Sequence, residues 1–250
     1  MTTKPERKRL DLLLVERGLA ESQAKAQAMI LAGEVLVDGA RGEKAGQLVA
    51  GSARIEVHSR QQKYASRGGI KLEGALEDFA IAPAGRVCVD VGASTGGFTD
   101  CLLQRGARRV YAVDVTTNQL AWKLQQDPRV VRIERNAREL ARADIPEPAD
   151  LVVVDVSFIS AGRVLAPAAG VARPGADLLI LVKPQFELRR EQIPAGGVVR
   201  DPKLHEEAIA RVQEAAEAAG LELLGVRPSR LPGAEGNQEF FVHARRRVLE

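Results

Sequence analysis

The sequence predicts an α/β protein: a mostly parallel, doubly wound sheet whose last strand is antiparallel, preceded by a small α+β module. Three observations carry this expectation. From Arg86 onward, short apolar runs alternate with stretches of helical periodicity, the pattern of a sheet built with crossover helices. The first of those runs, Val87-Cys88-Val89-Asp90-Val91, passes directly into a glycine turn, Gly92-Ala93-Ser94-Thr95-Gly96-Gly97, that opens a helix. The excess positive charge is confined to the first quarter of the chain, where residues 1–63 hold 11 Lys and Arg against 8 Asp and Glu, while residues 64–250 hold 25 of each.

The first module, residues 1–60, reads as two helices followed by a small sheet. Leu10 to Arg17 stops at Gly18, and Ser22 is placed to cap a second helix that runs through Leu31 and closes at Gly33. Val35-Leu36-Val37 then meets the turn Asp38-Gly39, and Ala53-Arg54-Ile55-Glu56-Val57 alternates apolar with polar as a half-buried strand does. Positive charge gathered in one module favours contact with a polyanion. The runs Arg9 to Val15, Ala24-Lys25-Ala26 and Leu31 to Gly39 resemble the alpha-L RNA-binding domain named after a small-subunit ribosomal protein. That resemblance implies basic side chains facing RNA phosphates, with Arg7, Lys8, Arg9, Arg17 and Lys25 as the candidates.

Residues 61–66 are polar and form the connector, and the second domain spans residues 67–250. Arg67-Gly68-Gly69 starts a helix through Phe79, whose Ile70, Leu72, Leu76 and Phe79 are spaced to face the sheet. Strands follow at 87–91, 110–114, 130–133, 151–156 and 178–183, with helices at 97–105, 117–126, 160–172 and 202–219. Leu223 to Val226 and Phe240 to Ala244 read as two late strands joined by the loop Pro228 to Asn237.

The glycine turn is where a ligand is expected, because Gly92, Gly96 and Gly97 allow a tight turn and close backbone approach at the carboxyl end of a parallel strand. Its spacing, Gly-x-x-x-Gly-Gly, departs from the dinucleotide pattern. The next strand ends on Asp114, a carboxylate able to accept both hydroxyls of an adenosine ribose. Asp155 and Lys183 stand at the ends of two further strands, and Glu239 enters the final one, which reaches the same edge if it is antiparallel. Lys71, on the preceding helix, completes a set of two positive and two negative charges. Such a set suits a lysine that takes or steers a proton from an alcohol.

At these residues the chain resembles the TlyA family. The resemblance rests on Ser66 to Leu72, Asp90 to Thr99, Asp155 to Ser160, Lys183 to Glu187, Gly196 to Pro202 and Gly236 to Phe240. The family comprises FtsJ-like ribosomal RNA ribose methyltransferases with an N-terminal alpha-L domain, some of them labelled hemolysins. What it implies is a Rossmann-like sheet, S-adenosylmethionine as cofactor, methylation of a ribose 2′-hydroxyl of a cytidine in ribosomal RNA, and ribosomal RNA or ribosomal subunits as partner with no obligatory protein partner. Lys71, Asp155, Lys183 and Glu239 match the family's catalytic tetrad. Asp90, Gly92, Ser94, Gly96, Gly97 and Asp114 match its cofactor residues, with Asn136 and Ala137 against the adenine, and Arg67 joins the RNA-facing candidates. The resemblance makes Lys183 the group that orients and deprotonates the hydroxyl, Asp155 its holder, and Lys71 with Glu239 the pair that helps fix the ribose. Thr116-Thr117-Asn118 and Arg135 depart from the family pattern around the adenosine.

Other classes are disfavoured. No apolar run approaches the roughly 20 residues of a membrane span, and the polar, basic start Met1 to Arg9 lacks a signal-peptide core, so a cytoplasmic protein is expected and a pore-forming one is not. Cys88 and Cys101 match no metal spacing and read as reduced core residues, and His58, His205 and His243 stand apart in the sequence, so no metal is expected. A non-catalytic RNA-binding factor would have the tetrad broken, whereas here it is intact.

Overall fold

A computed structural model describes residues 7–57 and 63–248; the residues before Arg7, His58 and the connector up to Gln62 lie outside them. The chain divides into two compact units, Met1–Gln62 and Lys63–Glu250.

The first unit contains β1 (Arg7–Arg9), α1 (Leu10–Glu16), α2 (Gln23–Leu31), β2 (Val35–Val37), β3 (Ala40–Arg41), β4 (Leu48–Ala50) and β5 (Ile55–Val57). Strands β1 and β4 pair antiparallel, and β2 lies between β3 and β5 in a second antiparallel sheet. The short strands β1, β3 and β4 escape sequence reading because two or three residues carry no periodicity. Ser22 caps α2 through the Lys25 backbone N–H, and Asp38 and Gly39 both take positive φ (49° and 82°), as a tight hairpin turn requires. Leu10, Leu14, Ala26, Ile30 and Val35 fill the small core. One polar residue sits inside it: the Asp11 carboxylate is fully buried and accepts hydrogen bonds from Arg9, Gln23 and Gln27, tying α1 to α2.

The second unit is built on α3 (Arg67–Asp78), β6 (Val87–Val91), α4 (Gly97–Gln104), β7 (Arg109–Asp114), α5 (Trp122–Gln125), β8 (Val130–Glu134), β9 (Ala149–Val154), α6 (Leu165–Val171), β10 (Ala172–Val182), α7 (Pro184–Glu187), α8 (Pro202–Ala218), β11 (Leu221–Pro228) and β12 (Phe240–Arg246). The sheet runs β11-β12-β10-β9-β6-β7-β8, and β12 alone runs against the direction of the other six strands. Of the two late strands, only the second is reversed; it inserts between β10 and β11 and brings its start, Phe240, opposite Val182 at the end of β10.

Alternation along the strands sorts the core into two layers. Val87, Val89 and Val91 face the cluster that holds Leu165, Ala168 and Val212, from α6 and α8. Cys88 faces the opposite cluster with Leu72, Leu76 and Leu102, from α3 and α4. Asp90 shares the parity of Cys88 and is therefore carried under α4, where Thr99 meets it.

Several expectations are corrected here. The helix expected over 117–126 shrinks to α5, because Thr117 bonds through its N–H and hydroxyl to Glu134 and holds that stretch as a loop. The helix expected over 160–172 splits into a 3-10 turn, Ala161–Val164, and α6, with Ser160 capping Gly162. Ile70 does not face the sheet but is 41% exposed. It lies two residues, or about 200° of helix, from Leu72, which is on the buried face. Residues 63–66 are not a free connector, since Tyr64 is buried and donates to Glu73. Cys88 and Cys101 are free thiols in the core.

The first helix-opening turn depends on Gly92. Its φ is +91°, and a Cβ built there would lie 2.2 Å from the Asp155 carbonyl oxygen, a backbone atom that cannot swing aside. Gly92→Ala is expected to destabilise the protein by roughly 1–3 kcal/mol, the usual cost of a forced left-handed backbone, read as a lower urea midpoint at unchanged slope.

Candidate active site

The strand order reverses between β6 and β9: the chain goes outward through β7 and β8, then returns to lay β9 on the other side of β6. In open α/β sheets a crevice opens at such a point, outside the carboxyl ends of the strands. Here it holds two clefts. The larger, about 390 Å³, has Val113, Asp114, Val115, Asn136 and Ala137 on one side and Asp155 to Ile159 on the other. The smaller, about 170 Å³, is bounded by Ser66, Gly68, Lys71, Phe98, Asp155 and Lys183 among others. Gly92, Ser94, Asp155 and Ser157 belong to both and form the mouth between them.

The four charges converge as two ion pairs. Lys71 Nζ donates to Glu239 Oε2 at 2.5 Å, and both side chains are buried. Lys183 Nζ lies 2.5 Å from Asp155 Oδ1. Burying charge is costly unless it is compensated, so each lysine arrives with its own carboxylate. Lys71, Asp155 and Lys183 line the small cleft, whereas Glu239 lies behind Lys71 and lines neither cleft. Lys183 makes one further contact that the sequence did not single out, donating to Ser157 Oγ at 2.8 Å.

The glycine turn and its neighbours divide by role. Ser94 takes φ +48°, and its backbone N–H donates to Asp114 Oδ2 at 2.9 Å, which sets the carboxylate at the wall of the larger cleft. Gly97 lines the small cleft, where a Cβ would strike Ser66 Oγ. Asn136 turns its side-chain oxygen to the Arg138 N–H and caps the 3-10 turn that begins at Ala137. Two residues read from the sequence as cofactor-facing reach neither cleft. Gly96, at φ +91°, packs against Leu124 and Leu120, leaving no room for a Cβ. Asp90 is fully buried beneath the turn and accepts from the Thr99 hydroxyl at 2.7 Å.

The basic candidates also separate. Arg7 and Lys25 are exposed, but the Arg17 guanidinium donates to the Gly51 and Ala53 carbonyls, and Arg9 is spent on buried Asp11. Lys8 pairs with Glu16, and Arg67 donates to the Pro232 carbonyl. Arg17 and Arg9 thus hold the fold of their unit together.

Comparison with known proteins settles the relationship. Residues 64–246 match the FtsJ-like methyltransferase family. The chain belongs to this family. Residues 8–55 of the methyltransferase match the S4 domain. It is 48% identical to the Mycobacterium tuberculosis 16S/23S rRNA (cytidine-2′-O)-methyltransferase TlyA over 96% of this chain and 90% of that protein. A solved hemolysin-named protein of Streptococcus thermophilus matches at 39% identity and a TM-score of 0.74, covering 97% of this chain and 89% of its own. A Listeria monocytogenes structure named as an S-adenosylmethionine-dependent methyltransferase shares the fold at 12% identity and a TM-score of 0.54, covering 73% of this chain and all of its own. Among the described residues of the methyltransferase, no helix is long and apolar enough to cross a membrane, and no group of three or more metal-ligating side chains gathers.

Sequence reading gave no role to Ser157 and Glu187, although both lie in stretches that carry the family resemblance, because a serine in a loop and the last acid of a short helix carry no pattern of their own. Glu187 is buried. It accepts from the Ser160 hydroxyl at 2.6 Å and the Ala161 N–H at 2.8 Å, and so ties α7 to the loop after β9. Phe158 stands 89% exposed at φ +67° beside the larger cleft, with its ring against Phe186.

Asp90 gives the methyltransferase a distinctive pH response. Burial pushes its carboxyl up to about 7; the Thr99 hydroxyl pulls it partly back, and the Asp155 charge adds to the rise. A carboxyl raised in the folded state binds its proton there while the unfolded chain, near 3.8, has released it. Its contribution to stability therefore falls as pH rises from about 4 to about 7 and stays low above that. Asp90→Asn is expected to flatten this part of the stability profile of the ligand-free protein and to raise its Tm at pH 8 relative to wild type. Parallel profiles for the two proteins would contradict the assignment.

Proposed function

We propose that the protein transfers a methyl group from S-adenosylmethionine to the ribose 2′-hydroxyl of a cytidine in ribosomal RNA. The observation that carries this reading is the small cleft, where Lys183 and Lys71, each held by a carboxylate, face a space that opens from the larger cleft at Asp155.

The donor set of the larger cleft suits that cofactor. Val113, Val115 and Ile159 offer apolar walls to a purine, Asp114 offers a carboxylate to the ribose diol, and Asp155 places negative charge where a sulfonium is attracted. When bound there, S-adenosylmethionine would supply an electrophilic methyl group. The chain's own part is to position and to handle one proton. Lys183 orients the 2′-hydroxyl and accepts its proton once its own ammonium proton has passed to Asp155, whose carboxylate lies 2.5 Å away and holds Lys183 at the mouth between the clefts. Lys71, braced by Glu239, helps fix the ribose in the same small cleft. Holding the reacting groups at near-attack separation accounts for most of the acceleration. A ribose hydroxyl as target also suits a small cleft without an evident base-reading pocket, because the 2′-hydroxyl itself marks RNA.

The S4 domain supports the RNA assignment, with Arg7 and Lys25 exposed for phosphate contact. The decisive experiment incubates the protein with ribosomal subunits and radiolabelled S-adenosylmethionine and maps the label. Label at a cytidine ribose 2′-oxygen is expected; label on a base, or none, would overturn the reading.

Two substitutions test the residue roles. Asp114→Ala should weaken S-adenosylmethionine binding in calorimetry by roughly tenfold or more, the loss expected for a hydrogen bond to a charged group, in a protein that remains folded. Lys183→Ala should lower turnover by ~100-fold or more while leaving cofactor affinity nearly unchanged. Lys183→Arg should not rescue it, since a guanidinium does not give up its proton; near-normal turnover of that variant would reduce Lys183 to a fixed charge.

A further inference from the structure

We propose that Ser157 is a positioning residue for methyl transfer: its hydroxyl sets the direction in which the Lys183 ammonium faces the small cleft. The proposal rests on the reading of Lys183 as the group that handles the ribose hydroxyl.

A lysine ammonium is a compact charge with three donors on a flexible stem, so an ion pair fixes its distance and leaves its direction open. Asp155 Oδ1, 2.5 Å from Lys183 Nζ, compensates the charge and holds one side of the nitrogen. The second acceptor is Ser157 Oγ at 2.8 Å. With both acceptors in place the rotation of the nitrogen is fixed and its third position is left for the small cleft; with Asp155 alone the nitrogen would be free to swing about a single contact.

The surroundings of Ser157 fit that role. It lies at the mouth shared by both clefts, two residues beyond Asp155. Its hydroxyl bonds to Lys183 and not to the backbone of its own loop. Ser160, three residues on, behaves in the opposite way: its hydroxyl caps the Gly162 N–H and donates to Glu187, so it builds the loop. One serine shapes the chain and the other is turned to the catalytic lysine.

The test compares full-length wild type, Ser157→Ala and Ser157→Thr on ribosomal subunits, with S-adenosylmethionine affinity measured by calorimetry. Ser157→Ala should lower kcat and kcat/KM together by roughly tenfold, as expected for an interaction that aligns the transferring state, with KM and cofactor affinity within about twofold of wild type. Ser157→Thr, which keeps the oxygen, should recover most of the turnover. Equal turnover of Ser157→Ala and wild type would overturn the proposal, as would a loss that appears in KM or cofactor affinity, or a threonine variant no better than alanine. A wild-type enzyme that places no methyl on ribose would instead overturn the functional reading itself, and this role with it.

Discussion

The close approach of the chain after β6 to the chain after β9 is the constraint on which the site depends. Gly92 and the Asp155 carbonyl are so near that no side chain fits between them, and this contact brings the glycine turn and the loop that carries Asp155 and Ser157 to one mouth. The contact follows from topology: β6 and β9 are neighbours in the sheet although the chain between them visits β7 and β8. Without it, the cleft ending in Asp114 and the cleft holding Lys183 would be separate pockets. With it, Gly92, Ser94, Asp155 and Ser157 belong to both.

Electrostatics then shape what this mouth can do. Two lysines enter a confined space, and each is balanced by one carboxylate supplied from a different element. Glu239 is delivered by the antiparallel β12, whose start is set against the end of β10 by register. The reversed strand is thus the means by which an acid reaches the carboxyl edge of an otherwise parallel sheet. Glu187 and Ser160 hold the loops after β9 and β10 to each other, which keeps Asp155, Ser157 and Lys183 in one arrangement.

The same economy appears in the first unit, where charge is used as structure. Asp11 gathers Arg9, Gln23 and Gln27 inside the small core, and Arg17 closes onto two backbone carbonyls. A count of basic residues overstates the surface open to a polyanion, because some of those residues have internal work.

The sequence by itself determined the alternation of strands and helices, the glycine turn, the two-part organisation and the identity of the four converging charges. These are legible because burial on both faces of a parallel strand demands continuous apolar runs, and because glycine is favoured where a tight turn needs positive φ or the backbone is closely approached. Only the tertiary structure decided how those pieces divide the work. It withdrew Asp90 and Gly96 from the clefts, turned Ile70 outward, placed Glu239 behind Lys71, and brought Ser157 to Lys183. The physical reason is that a local pattern records which side of a strand or helix is buried. Which neighbour a polar group meets depends on register, strand order and loop path, and those are fixed by contacts between residues far apart in the chain.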